Sequence, residues 1–185
     1  KSRQLINLEI SDSAYTDHTR IVFNADASIE YEIGVDANKF ISTSAPIQLY
    51  SLGKNKEQYS INERPLTTSG EIIQLGYYAA YAGTFTLSAS RMDTTITIFD
   101  NVTNQYVDLS KGDYMFSTEA GCHDARFAMS AAKLPSDVID VKDINECFEA
   151  VGTVLSIFDP VYNDDGDSLY LVDQIQDDKN EIEHM

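Results

Sequence analysis

The chain has 185 residues, 43% of them apolar, which suffices for one ordinary domain with a real core or one sandwich with a short appendage. Thirteen basic against thirty acidic residues give a formal charge of -17, which repels phosphate backbones and anionic lipid and excludes nucleic acid as an expected partner. No apolar run approaches the ~20 residues of a membrane span, so no membrane insertion is expected.

Lys1 leads directly into Ser2, Arg3, Gln4 and Leu5 without the apolar segment of a signal peptide, so the chain is expected to be a mature or trimmed product. Eleven tyrosines and eight phenylalanines, no tryptophan and many Thr, Ser and Ile favour strands over helices.

In chain order, Leu5 to Ile10 reads as a first strand closed by the Ser11, Asp12, Ser13 turn, and Thr19 to Phe23 as a second. Residues 24–38 read as irregular. Residues 47–52 and 58–61 flank a polar, glycine-containing connection and predict a hairpin. Pro65 and the Thr67 to Gly70 cluster then punctuate the chain. From Gly70 to Ser90, Ile73, Leu75 and Tyr77 and then Phe85, Leu87 and Ala89 alternate with polar or small residues across an Ala-Gly break. That period of two predicts a central pair of strands, with Phe85 and Leu87 inward and Thr84 and Thr86 outward. Residues 95–99 and 105–109 predict another hairpin, and residues 114–117 and 126–129 a last pair around Gly121.

After Ala131 to Ser136, which reads as a linker or strand exit, the chain changes character. Ile144, Cys147, Phe148, Val151, Leu155 and Phe158 fall on one helical face. Gly152 weakens a helix there by about 1 kcal/mol, and Ser168 to Val172 supplies a strand, so a hairpin is the preferred reading. The last residues, 177–185, are polar. Strands recurring with turns between them indicate an all-β fold, an antiparallel β-sandwich, jelly-roll-like or immunoglobulin-like, over 1–134. A short C-terminal appendage over 135–185 completes the expected organisation.

These strands in this order resemble a β-sandwich module found near the C-termini of large secreted and surface proteins of bacteria that use type IX secretion. The resemblance runs over roughly residues 5–130. It is carried by Ile6 to Ser11, Asp17 to Asn24, Asp36 to Phe40, Ala45 to Ser51, Tyr59 to Asn62, Ile73 to Tyr77, Ala82 to Leu87 and Asp108 to Ser117, ending at Arg126 and Phe127. The resemblance implies export to the cell surface or beyond the outer membrane and an accessory role beside other domains. It brings no catalytic motif.

Cys122 and Cys147 are candidates for one disulfide worth on the order of 3 kcal/mol; two free thiols and a reactive nucleophile are the alternatives. His123 adjoins Cys122 in sequence, which does not make a ligand pair. Asp143 to Cys147 looks like the opening of a calcium-binding growth-factor module, a match rejected because that module needs six cysteines and the chain has two. Asn163 to Asp167 offers several oxygens, yet Gly166 and Gln174 stand where an EF-hand pattern is not satisfied, so an acidic turn is favoured over a metal site. Tyr77, Tyr78 and Tyr81 are candidates for ligand contact, against core packing or sheet-face pairing.

No phosphate cradle, zinc spacing or nucleophile elbow is present in the sequence. The expected protein is therefore a non-catalytic secreted or cell-surface module with a structural or adhesion role, needing no cofactor or metal. The alternative is a carbohydrate-binding module using exposed tyrosines, and after that an accessory domain of a hydrolase. Other surface domains or glycans are the expected partners.

Overall fold

A computed structural model of the chain describes residues 3–65 and 72–131, together with the backbone of residues 160–162 and 168–170. The fold is all-β, and no helix occurs among the described residues. In chain order the strands are β1 (Gln4–Ser11), β2 (Thr16–Phe23), β3 (Ala37–Asn38), β4 (Ile47–Leu52), β5 (Gln58–Arg64), β6 (Ile72–Ala79) and β7 (Gly83–Met92). There follow β8 (Thr97–Asp100), β9 (Gln105–Val107), β10 (Tyr114–Thr118), β11 (Gly121–Ser130), β12 (Pro160–Tyr162) and β13 (Ser168–Tyr170). The compact units are Lys1–Val151 and Gly152–Met185, and β12 and β13 form an antiparallel hairpin in the second. The expected division after residue 134 lies outside the described residues.

The first eleven strands build one sheet in the order β10-β7-β1-β2-β5-β4-β6-β11-β8-β9, with β3 on β5. Its pairings are antiparallel except one, so the sheet is mixed where a purely antiparallel one was expected. Residues Arg20–Phe23 of β2 run parallel to Ile61–Arg64 of β5. The cause is the long connection after Phe23, which carries the chain past the position β5 will occupy; the chain returns through the β4–β5 hairpin, so β5 arrives running in β2's direction.

The sheet curls toward a barrel. The Phe116 ring of β10, at one end of the strand order, packs 4.9 Å from Phe127 of β11 and 5.5 Å from Tyr77 of β6. Alternate residues of the facing strands fill the space between: Ile6, Leu8 and Ile10 from β1, Ile73 and Leu75 from β6, Phe85 and Leu87 from β7. Each such side chain contributes roughly 1.5 to 3 kcal/mol on burial. The predicted inward register of β7 holds, with Phe85 and Leu87 at 1% and 0% exposure, Thr84 exposed and Thr86 half-buried. The hairpins β4–β5 and β8–β9 also form as expected, closed by Lys56 and Asn104 in left-handed conformation.

Two expected pairings do not form. β6 lies between β4 and β11, and β7 lies between β1 and β10, so these strands are not partners. Likewise β10 pairs with β7 and β11 with β6. The connections after Ala79 and after Thr118 are crossovers that carry the chain from one part of the curled sheet to the other. They sit at the same end, where Gly83 is registered opposite Thr118.

Candidate functional site

Three groupings of chemically capable side chains emerge from this framework. The first is buried. β11 loses register with β6 between His123 and Phe127, and this irregularity turns Arg126 toward β8 and β10. Its Nε and Nη2 donate to Asp100 Oδ1 and Oδ2 at 3.1 and 2.9 Å, and its Nη1 donates to the Ser117 carbonyl at 2.6 Å. The guanidinium carbon lies 4.6 Å from the Phe116 ring centre. Asp100 also accepts the Tyr114 hydroxyl at 2.9 Å and the Val102 amide at 2.9 Å. Burial opposes ionisation of Asp100, yet the hydrogen bonds from Arg126, Tyr114 and Val102 outweigh it and hold the carboxyl below its ordinary value. The whole network ties β8, β10 and β11 together where the curled sheet meets itself. Both charged groups are committed to each other, so the arrangement is a latch rather than a reaction centre.

The second grouping lies on the outer face of β4, β6 and β11. Tyr50 donates its hydroxyl to Asp124 Oδ1 at 2.7 Å, and its ring lies over Gly76, where a β-carbon would overlap it. Burial, followed by the hydrogen bond to Asp124, pushes the Tyr50 phenol well above its ordinary value. Cys122 carries a free, exposed thiol. Partial burial and the Asp124 charge raise its pKa, which keeps it protonated and a poor nucleophile. The neighbouring His123 cannot activate it. Cys122 is registered opposite Tyr78 and His123 opposite Tyr77, so the two side chains leave opposite faces of the strand. His123 stacks on the Tyr77 ring at 4.8 Å, and its Nε2 carries the proton donated to the Glu119 carbonyl at 2.9 Å. Cys147 and the Asn163 to Asp167 loop lie outside the described residues. Among the described residues no group of three or more His, Cys, Asp or Glu is placed to hold a metal.

The third grouping contains the candidate tyrosines, which the strand period separates. Tyr77 is fully buried and its hydroxyl meets Thr118 Oγ1 at 2.9 Å, which removes it from any ligand surface. Tyr78, one residue on, is half-buried on the outer face opposite Gln48 and Cys122. Tyr81, in the crossover after β6, is 41% exposed. Its hydroxyl donates to Asp12 Oδ2, and its ring stacks on Phe85 at 5.9 Å. Asp12 closes the β1–β2 turn, its Oδ1 accepting the amides of Ala14 and Tyr15 at 2.7 and 2.8 Å. Tyr15, 51% exposed, projects from that turn near enough to Tyr81 to influence its phenol electrostatically. The Tyr81 bond, and after it the two amides, hold the Asp12 carboxyl below its ordinary value. Sequence reasoning missed Asp12 and Tyr15 as members of a common cluster. An aspartate opening a turn that ends in tyrosine was visible, but its neighbour lies 69 residues away.

Fold and sites together define an all-β domain whose buried ionisable groups bind strand to strand and which carries an exposed tyrosine–aspartate cluster in turns at one end. The chain belongs to the family described as "Domain of unknown function (DUF8693)", which matches residues 1–130. The RNA polymerase sigma-G factor of Clostridium acetobutylicum is similar over a short stretch, 50% identical across 32 residues, or 17% of this chain. The chain spans only 12% of that protein's length. No solved structure matches the chain.

Proposed function

We propose that the described sheet is a non-catalytic β-sandwich module, jelly-roll-like or immunoglobulin-like, of a secreted or surface-displayed protein, with a structural or adhesion role beside other domains. The observation that carries this reading is where the reactive groups are. Asp100, Arg126 and Tyr114 bond one another in the interior, and Tyr50 and Asp124 bond one another on the sheet face. Such groups hold the sheet in shape instead of converging on an open cleft. The two parts of the curled sheet, facing each other across Phe85, Phe116 and Phe127, supply the layered core that a sandwich needs. Resemblance to modules of type IX-secreted proteins supports an address at the outer envelope, and the -17 charge suits an exposed, soluble surface. Protease shaving of intact cells of the source organism tests the location. The module should be digested by external protease before lysis; complete protection until the cells are broken would place it inside and overturn the reading.

A further inference from the structure

The end of the sheet that carries the two crossovers also carries two exposed tyrosines tied to one carboxylate, Tyr81 through its hydroxyl and Tyr15 through its backbone amide. An exposed tyrosine on a turn ordinarily samples several rotamers, and any ligand that orders it does so at an entropic cost. Tyr81 is held at both ends. One side of its ring rests on Phe85, itself 1% exposed and part of the core, and its hydroxyl is fixed by Asp12. Asp12 in turn is fixed by the amides of Ala14 and Tyr15, which sets the turn from which the Tyr15 side chain projects. The outcome is a ledge: a preorganised aromatic face at Tyr81, a charged acceptor at its hydroxyl, and a second exposed tyrosine on the turn that this acceptor closes. Each carboxylate oxygen has two lone-pair directions, and among the described residues Oδ2 accepts the Tyr81 hydroxyl alone.

We propose that the Tyr15, Asp12 and Tyr81 ledge is a carbohydrate-binding site for uncharged sugar rings. The apolar C–H face of a pyranose would lie on the Tyr81 ring with Tyr15 flanking it, and a ring hydroxyl would donate to Asp12 Oδ2. Uronic-acid and sulfated sugars are disfavoured by the carboxylate and by the chain's charge of -17. The inference rests on the non-catalytic, surface-exposed reading above and adds to it a ligand class and an address.

The test is affinity electrophoresis of the full chain in native gels containing hydroxyethyl cellulose, xyloglucan, galactomannan or glycol chitin, with polygalacturonate as the anionic comparison. Retardation is expected in at least one neutral gel and not in polygalacturonate. Tyr81→Ala and Tyr15→Ala should each weaken it by about tenfold or more, while Tyr81→Phe, which keeps the ring, should retain most of it. Tyr106→Ala, at a tyrosine 47% exposed on β9, should leave it unchanged. Melting curves accompany each variant, and Tyr15→Ala keeps the test decisive if Tyr81→Ala lowers stability. No retardation in any neutral gel, retardation of the Tyr15 and Tyr81 alanine variants equal to that of the unaltered chain, or preference for polygalacturonate would overturn the assignment. Any of these results would leave the surface location intact, because protease shaving does not depend on sugar binding.

Discussion

Replacing Arg126 by methionine probes the latch that joins the ends of the curled sheet. Methionine approximates the length of the arginine stem, so packing against Phe116 and Phe127 is largely kept while the charge and the donors are lost. The lost donors are the two to Asp100 and the one to the Ser117 carbonyl. Asp100, fully buried, retains the Tyr114 hydroxyl and the Val102 amide but no cation. Breaking a buried pair from one side costs about 3 to 5 kcal/mol, chiefly through the stranded charge. That is a large fraction of the 5 to 15 kcal/mol typical of a domain. With a urea slope of about 2 kcal/mol/M, the unfolding midpoint at pH 7 should fall by roughly 2 M. Asp100→Asn combined with Arg126→Met should be less damaging than the sum of the single changes, by about 0.5 to 3 kcal/mol, since the second change removes the stranded charge. An Arg126→Met midpoint that implies less than about 1 kcal/mol of loss would refute the latch.

The Asp100 carboxyl titrates below its unfolded value of about 3.9, so between the two values the unfolded chain binds more protons and stability rises with pH. The contribution is complete above pH ~4 and disappears as pH falls through the folded value, so the deficit of Asp100→Asn relative to wild type should be largest at neutral pH and shrink below pH ~4. Urea titrations across that range check it, and a pH-independent deficit would count against it. Phe85→Ala should cost about 3 to 5 kcal/mol, whereas Thr86→Ala, half-buried on the other face, should cost well under that; thermal melts in which Thr86→Ala is the more damaging would reverse the assigned register. Gly76→Ala should destabilise by about 1 to 3 kcal/mol because its β-carbon would overlap the Tyr50 ring and crowd Asp124 Oδ1, and adding Tyr50→Leu should recover part of the loss.

Much of the strand content was readable because it depends on local period. Alternation placed Phe85 and Leu87 inward, and short polar connections identified the β4–β5 and β8–β9 hairpins. Period reveals which face a side chain takes and is silent about which strand lies alongside. The break between Tyr78 and Gly83 has the length and composition of a hairpin turn, yet it is a crossover, and the connection between β10 and β11 misleads in the same way. The parallel β2–β5 pairing is hidden for a related reason, since it depends on where a long connection returns. The latch had a faint signal: Asp100 ends an apolar strand and Arg126 sits beside Phe127, and charges in such settings require partners. For the ledge, sequence reasoning found Tyr81 but grouped it with Tyr77 and Tyr78, which the pleat sends to the core and to the other face.

The positions of β6 and β7 decide whether the latch and the ledge can exist, because only strands lying in different parts of the sheet bring Tyr81 to Asp12 and Phe116 to Phe127. Cross-strand nuclear Overhauser contacts in labelled protein measure this directly. The structure predicts contacts between Leu75 and Phe127 and between Leu87 and Tyr114, with β6 and β7 showing none as a ladder. A continuous ladder joining β6 to β7 as a hairpin would contradict it.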